Sequence, residues 1–137
     1  MMATYKIDGI AGIDAEMSEK LKEAGVETTG QLLQLGSKPA SRRKLAEATN
    51  LSEGLLLKFT HLADLCRVKG VAPDFMSLLE ASGVDSVSNL AQRNAINLTK
   101  KMDDLNHTHK LAYRSPTVIE VNNWVEEARA LSRVIEC

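Results

Sequence analysis

Aromatic residues are scarce. Two Tyr, two Phe and one Trp make up 4% of the 137 residues, and Tyr5, Phe59, Phe75, Tyr113 and Trp124 do not alternate with basic residues. That excludes the stacked aromatic platform on which proteins hold single-stranded nucleic acid. Cysteine is scarcer still. Cys66 and Cys137 show neither metal-ligand spacing nor a disulfide framework, which points to a reducing, cytoplasmic compartment. Cys66 reads as a small buried hydrophobe and Cys137 as a free thiol. Neither sign of charge is in excess. Seventeen Lys+Arg against eighteen Asp+Glu leave a net charge of −1, whereas a protein that coats nucleic acid carries a positive surplus. Long apolar runs are absent. Leu55-Leu56-Leu57 is typical of the longest, so no segment is expected to span a bilayer. Met1 to Ile10 lacks the apolar core of a signal peptide.

What is present is ordinary globular material: 44% hydrophobic and 26% charged residues. The surface scaling law predicts roughly 7,000 Å² exposed when folded against about 22,000 Å² unfolded, enough burial to fold without disulfides or metal. With three Pro and no β-branched alternation, helical signals dominate. The pattern predicts helices over Asp14–Ala24 with a stop at Gly25, and over Thr28 to Leu35 with a Thr28/Gln31 capping box and a stop at Gly36. It predicts others over Pro39–Thr49, Ser52 to about Val68, Pro73–Ser82 and a short one through Leu90 and Ala91 capped by Asp85 or Ser86. Last come a polar helix over about Ile96–Asn106 and a final helix opened by a Thr117/Glu120 box. The helix from Ser52 has the widest apolar arc (Leu55, Leu56, Phe59, Leu62, Ala63, Leu65, Cys66) and is expected at the centre.

An internal repeat is visible. Leu21, Gly25, Val26 and Leu32 match Leu79, Gly83, Val84 and Leu90, with Glu27/Asp85 and Thr28/Ser86 matched in type. Upstream, Ile7-Asp8-Gly9-Ile10 aligns with Val68-Lys69-Gly70-Val71. Each half reads as glycine turn, helix, glycine stop and short capped helix. The halves, 1–69 and 70–137, are read as lobes of one pseudo-symmetric all-α domain around the central helix. Only eight residues precede Gly9, so the first lobe lacks an upstream helix. The C-terminal helix, with Val121 and Trp124 buried, is expected to fold back over it.

A helix, then hydrophobic-x-Gly-hydrophobic, then a helix resembles the helix-hairpin-helix pattern, and Val68-Lys69-Gly70-Val71 carries it best. Beyond the motif, the chain resembles an uncharacterised family of small, mostly bacterial proteins, a domain of unknown function built from two such units. Arg42 to Ala46, Ala63 to Val71, Gly83-Val84-Asp85, Leu90 to Asn94 and Trp124-Val125 carry this resemblance. It implies the fold and raises nucleic-acid binding as an expectation, with no activity attached.

In such a hairpin the turn aims backbone N–H groups at a phosphate, and the next helix adds its N-terminal partial charge. The candidate nucleic-acid contacts are therefore Gly9, Ile10, Gly12, Lys69, Gly70 and Val71, with Arg42 and Arg43 from the basic cluster Lys38, Arg42, Arg43, Lys44. Against this stand Ala11 and Ala72, where a second glycine would sit, and the carboxylates Asp14, Glu16 and Asp74 in first helical turns. Hairpins also serve purely as packing units. Asp64, inside the central helix, is expected to pair with Arg67 or another basic group. His107-x-His109 lacks a third ligand, and Asp103-Asp104 reads as solvated surface, so no metal is expected. No nucleophile elbow, phosphate-binding loop or dinucleotide fingerprint occurs. The sequence predicts a non-enzymatic binding or scaffold protein without cofactor or evident small-molecule substrate, which meets a protein partner or a second copy through helical surfaces. The alternative is weak, sequence-independent DNA binding through the turns and the basic cluster.

Overall fold

The computed structural model describes residues 4–10 and 12–136. Ala11 and Cys137 lie outside the described residues, and with them the readings of a missing second glycine and a free thiol. Among the described residues there are eight α-helices, a short 3-10 turn over Ile7–Gly9 and one isolated antiparallel bridge between Lys6 and Thr28. The helices are α1 (Ala15–Glu23), α2 (Thr29–Gly36), α3 (Pro39–Thr49), α4 (Glu53–Leu65), α5 (Pro73–Ala81), α6 (Val87–Ala91), α7 (Ala95–His109) and α8 (Val118–Ala130). None is long and apolar enough to cross a membrane.

Local chemistry sets the helix ends. Asp14, Ser52, Ser86 and Asn94 cap α1, α4, α6 and α7 with their side chains. Of the two caps considered for α6, Ser86 is the one used. Thr28/Gln31 and Thr117/Glu120 close the expected capping boxes on α2 and α8. Gly25 and Gly83 end α1 and α5 in the left-handed region, at φ 90° and 92°. In each case the glycine N–H and the following Val N–H reach back to helix carbonyls. Gly25 donates to Lys22 and Val26 to Leu21, as Gly83 donates to Glu80 and Val84 to Leu79. That is the Schellman arrangement, with the Leu–Val contact buried in both copies.

Three helix boundaries differ from the sequence reading, the first being α4, which ends at Leu65 rather than near Val68. Gly36 does not stop α2. It is the last helical residue, followed by right-handed Ser37, and a Cβ on it would collide with the Thr60 side chain. The glycine is there because α2 crosses α4 closely, not because the chain turns. The α7 helix runs one turn past Asn106, to His109, and ends on left-handed Lys110. His107 and His109 thus share its last turn and diverge around it.

Apolar side chains from both halves form one contiguous cluster. The α4 residues Leu56, Phe59, Leu62, Ala63 and Leu65, with Cys66 capping the helix, sit in it with at most 2% exposure. On one side α4 packs against α2 and α3; on the other it meets α5 and α6. The expected course of the last helix needs correction. Val121 and Trp124 are buried, but α8 packs on α6 and α7 within the second half rather than over the first. Its apolar stripe finds a complementary aromatic there: the Phe75 and Trp124 ring centroids are 5.4 Å apart. What returns to the first half is the segment after α8. Ile135 is buried, and the Glu136 N–H donates to the Ser37 carbonyl at 2.7 Å.

Candidate binding surface at the two glycine turns

A short ladder of backbone hydrogen bonds recurs at a shift of 58 positions, the same shift that takes Leu21 to Leu79. Gly9 N–H donates to Lys6, Ile10 to Ile7 and Ile13 to Ile10. In the second half Arg67 donates to Asp64, Val68 to Leu65 and Val71 to Val68. Gly12 and Gly70 occupy the same place in this ladder, and both have φ 92°. The alignment of the turns read from sequence is therefore out by three residues. Gly12, not Gly9, is the counterpart of Gly70. Gly9 ends the 3-10 turn outside the left-handed region, and its role is close approach: a Cβ there would lie 2.8 Å from the Pro73 Cβ. The first turn is thus packed against the start of α5.

The first turn is also tied to its own helix. Asp8 accepts from the Ser18 hydroxyl and, at 3.2 Å, from Lys22 Nζ. The Ser18 hydrogen bond, then Lys22, holds the Asp8 carboxyl below its ordinary range.

The second turn is occupied. The Lys69 N–H donates to the Glu127 carboxylate of α8. One helical turn earlier, the Trp124 indole lies over Gly70, where an added Cβ would meet Nε1 at 3.0 Å. An amide that would face a phosphate in a nucleic-acid-binding hairpin is therefore covered by the protein's own carboxylate. Sequence reasoning missed Glu127. It is one of several charged residues on α8, and nothing local to position 127 pairs it with position 69.

The basic candidates fall in different surroundings. Arg42 is 5% exposed. Its Nη1 donates to the Gly36 carbonyl at 2.7 Å and the Glu136 carbonyl at 3.0 Å. It ties α2, α3 and the C-terminal segment together and does not present its guanidinium to solvent. Arg43, one position on, is exposed with Nε 3.5 Å from Glu53. Lys69 and Gly70 are exposed, while Ile10 and Val71 are buried beneath their turns. Asp64 and Arg67 form the expected pair, Nε to Oδ1 at 2.5 Å, with both side chains at or below 10% exposure. Burial, with Asp64 nearby, pushes the Cys66 thiol up to about 12, so it is no nucleophile at neutral pH.

A family model described as a domain of unknown function (DUF4332) matches residues 11–131. The chain belongs to that family. Comparison with curated proteins and with solved structures gave no match. The DUF4332 stretch takes in all eight helices of the described residues, with Gly12, Gly70 and Glu127. It stops short of Glu136, whose carbonyl accepts from Arg42.

Proposed function

We propose that this DUF4332 chain is a non-enzymatic interaction module that associates with a second copy of itself through the end of the molecule where α7 meets α8. Its two turn-and-helix units are helix-hairpin-helix-like and pseudo-symmetric, a reading supported by the recurring hydrogen-bond ladder. They act as packing units. The observation that carries the proposal is the surface around the α7–α8 connection. Leu111, Tyr113, Val118 and Ile119 are exposed there, Tyr113 by 81% and Ile119 by 74%. Among them Arg114 makes a bidentate pair with Glu120, at 2.7 and 2.9 Å. A symmetric dimer buries the same patch on both copies, so these apolar groups would meet their own counterparts across a two-fold axis, with the Arg114–Glu120 pair at their edge.

DNA binding, the alternative, is supported by exposed Lys69 and Arg43 and by the shared left-handed conformation of Gly12 and Gly70. Buried Arg42 and the carboxylate of Glu127 weigh against it. Light scattering across a concentration series, run beside a duplex DNA titration at about 50 mM salt, separates the two. A concentration-dependent dimer that Ile119→Lys dissociates supports self-association. A monomer at every concentration that binds the duplex with a steep salt dependence overturns it.

A further inference from the structure

Residues 132–136 leave the second half and seat on the first. Leu131 takes the chain out of α8 in an extended conformation, at φ −72° and ψ 134°. The Glu136 N–H then donates to the Ser37 carbonyl at 2.7 Å, and Arg42 Nη1 donates to the Glu136 carbonyl at 3.0 Å. Nearer the hinge, Arg67 Nη2 donates to the Ser132 carbonyl at 3.0 Å. Ile135, 3% exposed, is the one buried side chain of the stretch, and Ser132, Val134 and Glu136 are exposed.

The seat is built differently from the core. It grips the backbone of the segment at both ends and takes one aliphatic side chain between them, so the same segment of any copy satisfies it equally. Its partners are remote in sequence: Arg42 and Glu136 are 94 positions apart. The segment is also open along its flanks. A cleft of about 460 Å³ lies between it and the walls made by α4, α6 and the end of α8, and a shallow depression formed by residues 133–136 opens to solvent. It can therefore lift away without displacing a helix. One buried side chain and a few hydrogen bonds, set against the ordering of an extended backbone, place it at the low end of local stability.

We infer that this segment is an exchangeable strap: residues 132–136 of one chain take the corresponding seat on a second copy, which gives its own in return. Every contact made alone is remade between copies, so the exchange asks only that the chain open at the hinge after Leu131. The seat fits this segment as it stands, which makes a second copy the occupant. The exchange goes beyond the α7–α8 contact and does not rest on it, because the strap leaves the opposite end of α8, about 20 Å along the helix.

The test is disulfide trapping between two full chains that both carry Cys137→Ser. One also carries Ser37→Cys and the other Glu136→Cys. Neither can join positions 37 and 136 within itself, and Cys66 is buried. After mixing and treatment with oxidised glutathione, mass spectrometry of the digest is expected to find the 37–136 bond in excess of the 37–37 and 136–136 bonds. Adding Ile135→Asp to the Glu136→Cys chain removes the apolar anchor and is expected to lower that yield by about tenfold or more. Ile119→Lys in both chains should leave it unchanged. No 37–136 bond, a yield no greater than that of the like pairs, or a yield untouched by Ile135→Asp would overturn the exchange. A yield lost with Ile119→Lys would overturn it as well, since the link would then belong to chains already held together at α7–α8. Failure of that contact alone, read by light scattering, leaves the 37–136 yield as it was.

Discussion

Glu127 and Lys69 meet across the second glycine turn. The α8 carboxylate accepts the turn's backbone N–H, and Trp124, one helical turn earlier, covers the adjacent glycine. One helix thereby supplies both the apolar lid and the anion for a turn that would otherwise present its amide to solvent. The turn acts as a socket for α8, and its positive φ at Gly70 serves that packing whatever else the surface does.

Glu127→Ala should therefore loosen the last turn of α8. Loss of a charge-assisted hydrogen bond at a half-exposed site is expected to lower stability by about 1–2 kcal/mol. Glu127→Gln keeps an acceptor and should recover most of it. Urea unfolding of the three proteins checks this, with equal midpoints for Ala and wild type as the contrary result.

Trp124 is 2% exposed and packs on Phe75 and Gly70. Trp124→Ala is expected to destabilise by about 3–5 kcal/mol, because the cavity opens between two helices that cannot collapse onto it. A melting temperature like wild type would place the indole at the periphery of the packing.

Arg42 behaves as an internal strut. Arg42→Met keeps most of the side-chain volume but strands the Gly36 carbonyl and releases that of Glu136. The expected loss is about 2 kcal/mol or more, with faster hydrogen exchange at the Glu136 amide. If Arg42 served a phosphate, the variant would instead keep its stability and lose only nucleic-acid affinity.

The contrast between Arg42 and Arg43 shows where the sequence is legible and where it is not. Helix starts and stops are local chemistry, so Thr28/Gln31, Ser86 and the Gly25/Gly83 stops can be read from neighbouring residues. The Asp64–Arg67 pair is legible for the same reason, being three residues apart on one helix. Which way Arg42 points is decided by a carbonyl 94 residues away, and the turn amide at Lys69 by a carboxylate 58 residues away. Gly36 and Gly9 look like turn glycines in sequence, yet both are sites of close approach to distant side chains, Thr60 and Pro73.

The two helix-stop glycines should not respond alike to alanine. Each has positive φ, which costs an L residue about 1 kcal/mol. Around Gly25 nothing lies within 4 Å of the added methyl, so Gly25→Ala should show that cost alone. At Gly83 the methyl would come within 2.9 Å of Arg93 Nη2, which donates to the Ser82 carbonyl at 3.3 Å. Gly83→Ala should therefore be the more destabilising of the pair by a few tenths of a kcal/mol or more, and Arg93→Ala in the same chain should erase that excess. Equal losses in both single variants would show that Arg93 moves aside freely.

Acid should act first where α7 meets α8. The hydrogen bonds from Arg114, then the Thr117 N–H, hold the Glu120 carboxyl at about 2 against an ordinary 4.5. The same pairing, with Tyr113 adding a hydrogen bond, raises the Arg114 guanidinium above its ordinary value. Because the folded carboxyl titrates below the unfolded one, its contribution is complete above pH 4.5 and disappears as pH falls toward 2. The side chains are 42% and 32% exposed, so solvent screens the pair and the contribution is about 0.5–1 kcal/mol. Asp8 shifts in the same direction, held down by Ser18 and Lys22, and gives every variant a common acid-sensitive background. The Glu120→Gln variant isolates the α8 pair from it. Wild type should lose its advantage over Glu120→Gln between pH 4.5 and 2, and chemical unfolding at a series of pH values reads that difference directly. A gap that stays constant across this window would mean that the Arg114–Glu120 pair contributes through packing of its side chains and not through charge.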